Sequence, residues 1–302
     1  MDQRDPLTPQ VLRALREDGR ASYTGIADSL GVTRKRVTQI VQRAVDREEV
    51  IFTVSVSPDL LALQRFGYLQ LRLDGPVAPV RGALIAMPET TFVADISGES
   101  PIDAEIRVGA DPHLQQTMDR IRSLPGVRDM QTHLYESIEI NLYSPLITGH
   151  TGFSLDATDR AIVRQLQING RASYRELGDA AGISAGGARL RLGRLVGHNA
   201  VKVVGIPVRR DSPDLLTLGV GIRVRGELKA ALEEVRKLEP EFLAVTIGTY
   251  ELIATLTAAT AEELLELTER LRSSPEIAGI HTWINLRTVK EEYGRGDQLA
   301  DD

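Results

Sequence analysis

The chain has 302 residues, 42% hydrophobic and 26% charged, with a net charge of −6 and no cysteine. This composition fits a folded globular protein rather than a disordered or collagen-like one. Its length suits two domains or repeats, and the absence of thiols excludes disulfides, cysteine catalysis and thiolate metal centres. No apolar run approaches the roughly 18 residues of a membrane span. The charged start, MDQRDPLTPQ, lacks an apolar signal core, so a cytoplasmic protein without a membrane partner is expected.

In chain order, Leu7, Val11, Leu12 and Leu15 recur at helical spacing over 7–17, and Gly19 reads as a stop. A second short helix opens at Ser22 or Tyr23, buries Ile26, Ala27 and Leu30, and ends at Gly31. Val32 reads as the buried turn residue. Thr33 suits the N-cap of a third helix, Arg34 to about Arg47, because its hydroxyl accepts from an unpaired N–H. That helix buries Val37, Val41 and Ala44. It exposes Arg34, Lys35, Arg36, Thr38, Gln39 and Arg43. Val50, Ile51, Phe52 and Val54 read as a strand.

The pattern then changes. Residues 66–73, FGYLQLRL, alternate as a strand does. A helix near 78–86 follows, then strands at 91–97 and 102–108, a helix near 112–124, a turn at Pro125-Gly126 and a strand at 127–142. The order is βαββαβ, the split ferredoxin-like motif. Helices cover one face of such a sheet, and a second sheet is the usual cover for the other.

From here the chain repeats itself. DGRASY at 18–23 returns as NGRASY at 169–174, and 11 of the 36 positions from Leu15/Leu166 to Val50/Val201 are identical. Helices are expected at 156–168, 174–181 and 185–197, with Gly182, Ile183 and the N-cap Ser184 between the last two. The exposed basic residues of the third are Arg189, Arg191 and Arg194. A second βαββαβ follows, with strands at 216–225, 242–247, 251–257 and 277–288 and helices at 227–238 and 260–273. The fold class is α+β: helix-turn-helix domains at 1–58 and 151–209 alternate with ferredoxin-like domains at 59–150 and 210–302. The parts differ in charge, with net values of +1, −5, +5 and −7 over 1–58, 59–153, 154–209 and 210–302.

A glycine turn, an N-cap and a basic helix form the pattern in which the third helix lies in the major groove. Lys and Arg neutralise phosphate, Arg grips guanine and Gln pairs with adenine. Thr33, Arg34, Lys35, Arg36, Thr38, Gln39 and Arg43 of the first head are therefore candidate contacts to double-stranded DNA. Ser184, Arg189, Arg191 and Arg194 are the candidates of the second. Arg34-Lys35-Arg36 is replaced by Ala185-Gly186-Gly187 in the second copy. The glycines either weaken that helix or let its backbone approach DNA closely, and the two heads are expected to prefer different half-sites.

A helix-turn-helix, a linking strand and a βαββαβ domain, written twice around GRASYTGIADSLGVTRKRVTQIVQRAVDREEVI and GRASYRELGDAAGISAGGARLRLGRLV, resemble the Lrp/AsnC (feast/famine) family. The resemblance implies a transcription regulator whose ACT-like (RAM) second domain dimerises, oligomerises further and binds an amino acid or related metabolite. It implies a homo-oligomer of fused chains, no cofactor and no enzymatic activity. Mapped residue by residue, the family's effector loop falls on Gly98, Glu99, Ser100 and Asp103 in the first copy and on Gly248, Thr249, Tyr250 and Glu251 in the second. An acidic group there suits an ammonium. Tandem relatives that decarboxylate siroheme supply an enzyme alternative, and an adaptor with degenerate heads supplies a third. The histidines His113, His133, His150, His198 and His281 share no short ligand spacing, so no metal site is expected. His133 and Trp283 sit at equivalent strand positions and read as packing residues.

Overall fold

A computed structural model describes residues 5–146, 153–207 and 216–292. The elements follow the repeat. The first head comprises α1 (Thr8–Glu17), α2 (Tyr23–Leu30), α3 (Arg34–Asp46) and β1 (Val50–Val56). A single 3₁₀ turn, Pro58–Leu61, leads to β2 (Arg65–Leu73), α4 (Val77–Ala86), β3 (Thr90–Ile96), β4 (Ile102–Val108), α5 (Asp111–Arg122) and β5 (Val127–Asn141). The second head is α6 (Ala157–Ile168), α7 (Tyr174–Ala181), α8 (Ala185–Gly197) and β6 (Val201–Pro207). The second βαββαβ is β7 (Leu216–Val224), α9 (Leu228–Arg236), β8 (Phe242–Ile247), β9 (Leu252–Ala258), α10 (Ala261–Ser273) and β10 (Ile277–Glu291).

By contacts, these segments form two bodies. One holds the residues up to Leu61 and the segment that starts at Leu142; the other holds Ala62–Asn141 and the segment that ends at Glu292.

In the first body the two heads are interleaved. β1 and β6 pair antiparallel, Val50 opposite Pro207 and Val56 opposite Val201. Val50 and Phe52 of β1 pack with Val11, Leu15, Ile26, Val37 and Val41 of the first head. Val54 and Val56 of the same strand join Ile162, Val163, Leu166, Leu177 and Leu195 of the second. The sequence reading ended that strand at Val54; its last residues are the ones that complete the partner's core. The third helix of each head is capped as its sequence predicts. Thr33 Oγ1 accepts from the Arg36 N–H and Ser184 Oγ from the Gly187 N–H. Gly31 and Gly182 end the preceding helices at φ +65° and +67°, a left-handed geometry that costs glycine little. Val32 and Ile183 are half-buried rather than buried.

In the second body the strands close into one barrel, in the order β10-β3-β4-β2-β5-β8-β9-β7. The sequence predicted two facing sheets, and the structure joins them. Within each copy the order is ferredoxin-like. β5 then pairs with β8 and β10 with β3, so the long last strand of each copy covers the edge of the other. Alternation along the strands separates two cores. Leu69, Leu71, Ile102, Ile106, Val80, Leu84 and Ile121 pack under α4 and α5. Leu218, Val220, Ile222, Leu252, Val235 and Leu271 do the same under α9 and α10. Tyr68, Ala94, Ile96, Tyr250, Ile253 and Trp283 form a separate inner cluster.

Candidate nucleic-acid interface and barrel interior

The exposed side of α3 carries every residue singled out on it: Arg34, Lys35, Arg36, Thr38, Gln39 and Arg43 are all exposed, and Thr33 caps the helix start. Val37, Ile40, Val41 and Ala44 hold the opposite side in the core. Arg36 is paired with Asp5, its Nε and Nη2 donating to the carboxylate at 3.0 and 3.1 Å. This hydrogen-bonded pair lowers the Asp5 pKa and raises that of Arg36. Arg43 Nε donates to the Gln39 carbonyl at 3.1 Å.

The second head departs from its predicted face. Arg189 and Arg194 are exposed and Arg191 is half-buried, but the ends of Arg191 and Arg194 reach toward α6. Arg191 Nη1 reaches Asp156 Oδ2 at 2.6 Å and Asp159 Oδ1 at 3.0 Å, while Arg194 Nη2 reaches Asp159 Oδ2 at 2.6 Å. Asp159 is fully buried, so these arginines neutralise a carboxylate that would otherwise be stranded. The repeat register gives the reason: Arg191 stands where the first head has the buried Ile40, and Asp159 where it has Thr8. Asp156 caps α6 in a box with Asp159, and hydrogen bonding to Arg191 lowers its pKa.

The GRASY motif, the strongest repeat in the sequence, serves the seam between the heads and not a DNA face. Arg20 Nη1 donates to the Gly170 and Ala172 carbonyls, both at 2.9 Å. Arg171 donates reciprocally to the Gly19 and Ala21 carbonyls at 2.5 and 3.2 Å. Arg20 lies over the Tyr174 ring and Arg171 over that of Tyr23. The Gly19 N–H bonds the Val203 carbonyl and the Gly170 N–H that of Phe52. A Cβ at Gly19 would lie 2.8 Å from Val204 backbone, and one at Gly170 2.7 Å from the Thr53 nitrogen. Glycine is required by that approach. The signal was visible as identity, but identity alone does not say which surface it serves.

The predicted effector residues are divided by the barrel. Gly98, at φ +105°, Glu99 and Ser100 do lie in the β3–β4 loop, and Glu99 Oε2 meets Arg72 at 2.9 Å. Asp103 does not belong to that loop: it is on β4 and buried inside the barrel. In the β8–β9 loop, Thr249 Oγ1 accepts from Gln131 Nε2 at 2.7 Å. The Tyr250 side chain is buried, and Glu251 Oε2 accepts from the Val224 N–H at 3.0 Å. Gly248 leaves room for a histidine, since a Cβ there would lie 2.6 Å from His133 Nδ1.

The barrel interior is unequal between the copies. The first contributes Tyr68, Gln70, Asp103, Glu105 and Arg107, all buried. At matching register the second has Gly219, Gly221, Ile253, Thr255 and Thr257. Rings fill the space beside those glycines. A Cβ at Gly219 would meet Trp283, and one at Gly221 would meet Tyr250. Tyr250 stacks on His133 at 4.9 Å, and Tyr68 on Trp283 at 5.9 Å. Tyr68 Oη donates to Asp103 Oδ2 at 2.5 Å. Burial pushes Asp103 up to about 7, against the bonds from Tyr68 and Trp283. Burial pushes His133 down to about 4, and neither of its ring nitrogens meets a partner among the described residues. His133 and Trp283 both pack against rings, and Trp283 also bonds Asp103.

Residues 4–48 match a winged helix-turn-helix DNA-binding domain, and residues 155–196 match the AsnC-type helix-turn-helix domain. The HTH-type transcriptional regulator Rv2324 of Mycobacterium tuberculosis is 26% identical over 148 residues, 48% of this chain and 100% of the relative. The HTH-type transcriptional regulator FL11 of Pyrococcus abyssi is 28% identical over 142 residues, 46% of this chain and 93% of that one. Each is thus about one repeat long. A crystal structure of the siroheme decarboxylase NirDL aligns over 97% of this chain and 95% of its own, with a TM-score of 0.59 at 13% identity. That likeness is one of fold. Fold and heads define a tandem helix-turn-helix protein built on a shared barrel. The second head matches the AsnC-type domain, and each repeat is similar to HTH-type transcriptional regulators. No helix among the described residues is long and apolar enough to cross a membrane.

Proposed function

We propose that this protein regulates transcription by binding double-stranded DNA at specific sites in the cytoplasm, and that a small metabolite modulates the binding. The observation that carries the reading is α3: a capped helix with an apolar inner side and an outer side of Arg34, Lys35, Arg36, Thr38, Gln39 and Arg43. Arginine and lysine on that side supply phosphate neutralisation, and Gln39 supplies a bidentate partner for adenine. The fused heads take the place of a dimer of single units. The effector is proposed to meet the loops at Gly98–Ser100 and Gly248–Thr249 and to act by binding two states of the barrel unequally. Nothing in this scheme needs a catalytic residue or a cofactor.

The test is the anisotropy of labelled duplex DNA, pooled from upstream regions, titrated with the purified chain between about 50 and 200 mM salt. Binding that weakens linearly in log–log form, and that exceeds binding to coding-region duplex, supports the reading. Equal weak binding to both pools refutes it. An amino-acid panel scored by thermal shift tests the effector; no shift at millimolar levels counts against that part. The full-length fold likeness to NirDL keeps a tetrapyrrole ligand as a second reading. A changed absorption spectrum on mixing with siroheme would favour it.

A further inference from the structure

We infer that the chain reads DNA sequence with its first head alone, the second head serving as a brace locked to it. The inference rests on the DNA-binding reading above and assigns that function within the duplicated body.

Position by position, α8 lacks what makes α3 a reader. Ala185 and Gly186 stand in place of Arg34 and Lys35, removing the cations from the helix start, where base edges are reached. Leu190 stands in place of Gln39. It is 77% exposed and can neither donate nor accept a hydrogen bond. Gly193 replaces Gln42. Three arginines remain on α8, and two are committed. Arg191 and Arg194 close over Asp159 at 3.0 and 2.6 Å, and Asp159 has no exposed surface. Drawing either arginine out to a phosphate would strip a buried carboxylate of a counter-charge. Only Arg189 is left without such a bond.

The first head is built differently. Arg34 and Lys35 are exposed. Arg36 pairs with Asp5, whose side chain keeps 12% of its surface exposed where that of Asp159 keeps none. The second head's contribution lies in the seam. Arg171 holds the Gly19 and Ala21 carbonyls, one turn before α2. Val203 receives the Gly19 N–H. These contacts set the first head's helix-turn and would survive any change to the outer side of α8.

The experiment uses the full chain on a randomised duplex library, with repeated selection and sequencing, followed by salt titrations of the winning site. The result expected is one defined half-site without a mirrored copy one helical turn away. The R34A/K35A double variant should lose the consensus and lower the salt slope by about two, at roughly 0.9 per phosphate contact. The L190A/G193A variant should keep both the consensus and the slope. All four positions are exposed, and melting curves would verify that each variant folds. The gain-of-function variant A185R/G186K/L190Q should add a second half-site. Two mirrored half-sites from the native chain, or equal losses from the two double variants, would overturn the inference while leaving DNA binding intact. A native chain that enriches no sequence would overturn the DNA-binding reading itself, and this inference with it.

Discussion

Asp103 and His133 show how much the barrel interior asks of single residues. Asp103 titrates at about 7 in the folded chain against 3.8 when exposed. Between those values the native state holds a proton that the unfolded chain has released. Its contribution is therefore fully present below about pH 3.8 and is lost as pH rises through 7, by up to about 1.4 kcal/mol per unit. His133 acts in the opposite sense. It titrates at about 4 folded and 6.5 unfolded, so folding is penalised as pH falls from 6.5 toward 4. The two slopes oppose each other where they overlap. Asp103→Asn keeps an acceptor for Tyr68 Oη and removes one slope. Its stability relative to the native chain is expected to improve steadily from about pH 4 to 7, measured by urea unfolding at several pH values. A difference that does not vary with pH would contradict the assignment of the proton to Asp103.

At the scale of elements, the seam between the heads and the outer side of α8 predict opposite responses to the same small change. Gly170→Ala places a methyl 2.7 Å from the Thr53 nitrogen in β1, where backbone must yield, and should cost about 1–3 kcal/mol. Gly193→Ala meets open space on a helix and should stabilise by about 1 kcal/mol. Thermal melts of the two variants check both signs. The elements themselves were largely legible, because the apolar period, the glycine stops and the Thr33 and Ser184 caps all lie within a few residues of each other. The committed arginines were not. Arg191 reads as a surface cation until the repeat register aligns it with Ile40, and even then its acidic partner, Asp159, lies on another helix. Asp103 reads as a strand residue, yet also maps as an effector residue. It lies two positions past Pro101, and only the strand register places its side chain inside the barrel.

For the whole molecule, duplication and fusion replace two identical subunits by two that can diverge. The barrel needs both copies, since β5 and β10 each cover an edge of the other. The first half expressed alone, residues 1–150, would leave β3 and β5 each with one open edge. It should form a homodimer, scored by sedimentation; a stable monomer would show that closure is dispensable. The interior has already diverged, with Tyr68, Gln70 and Asp103 of one copy standing where the other has Gly219, Gly221 and Ile253. Charge divided along the chain in the same way. The net of −6 conceals heads at +1 and +5 between stretches at −5 and −7, so the whole-chain value does not describe any one surface.

The measurement that tests the central claim most directly is capture of genomic fragments by the purified chain at about 0.1 M salt, where screening is near physiological, read by sequencing. The account predicts a small number of sharp sites sharing a motif and lying upstream of genes. Recovery that follows fragment length or base composition, with no shared motif, would contradict it.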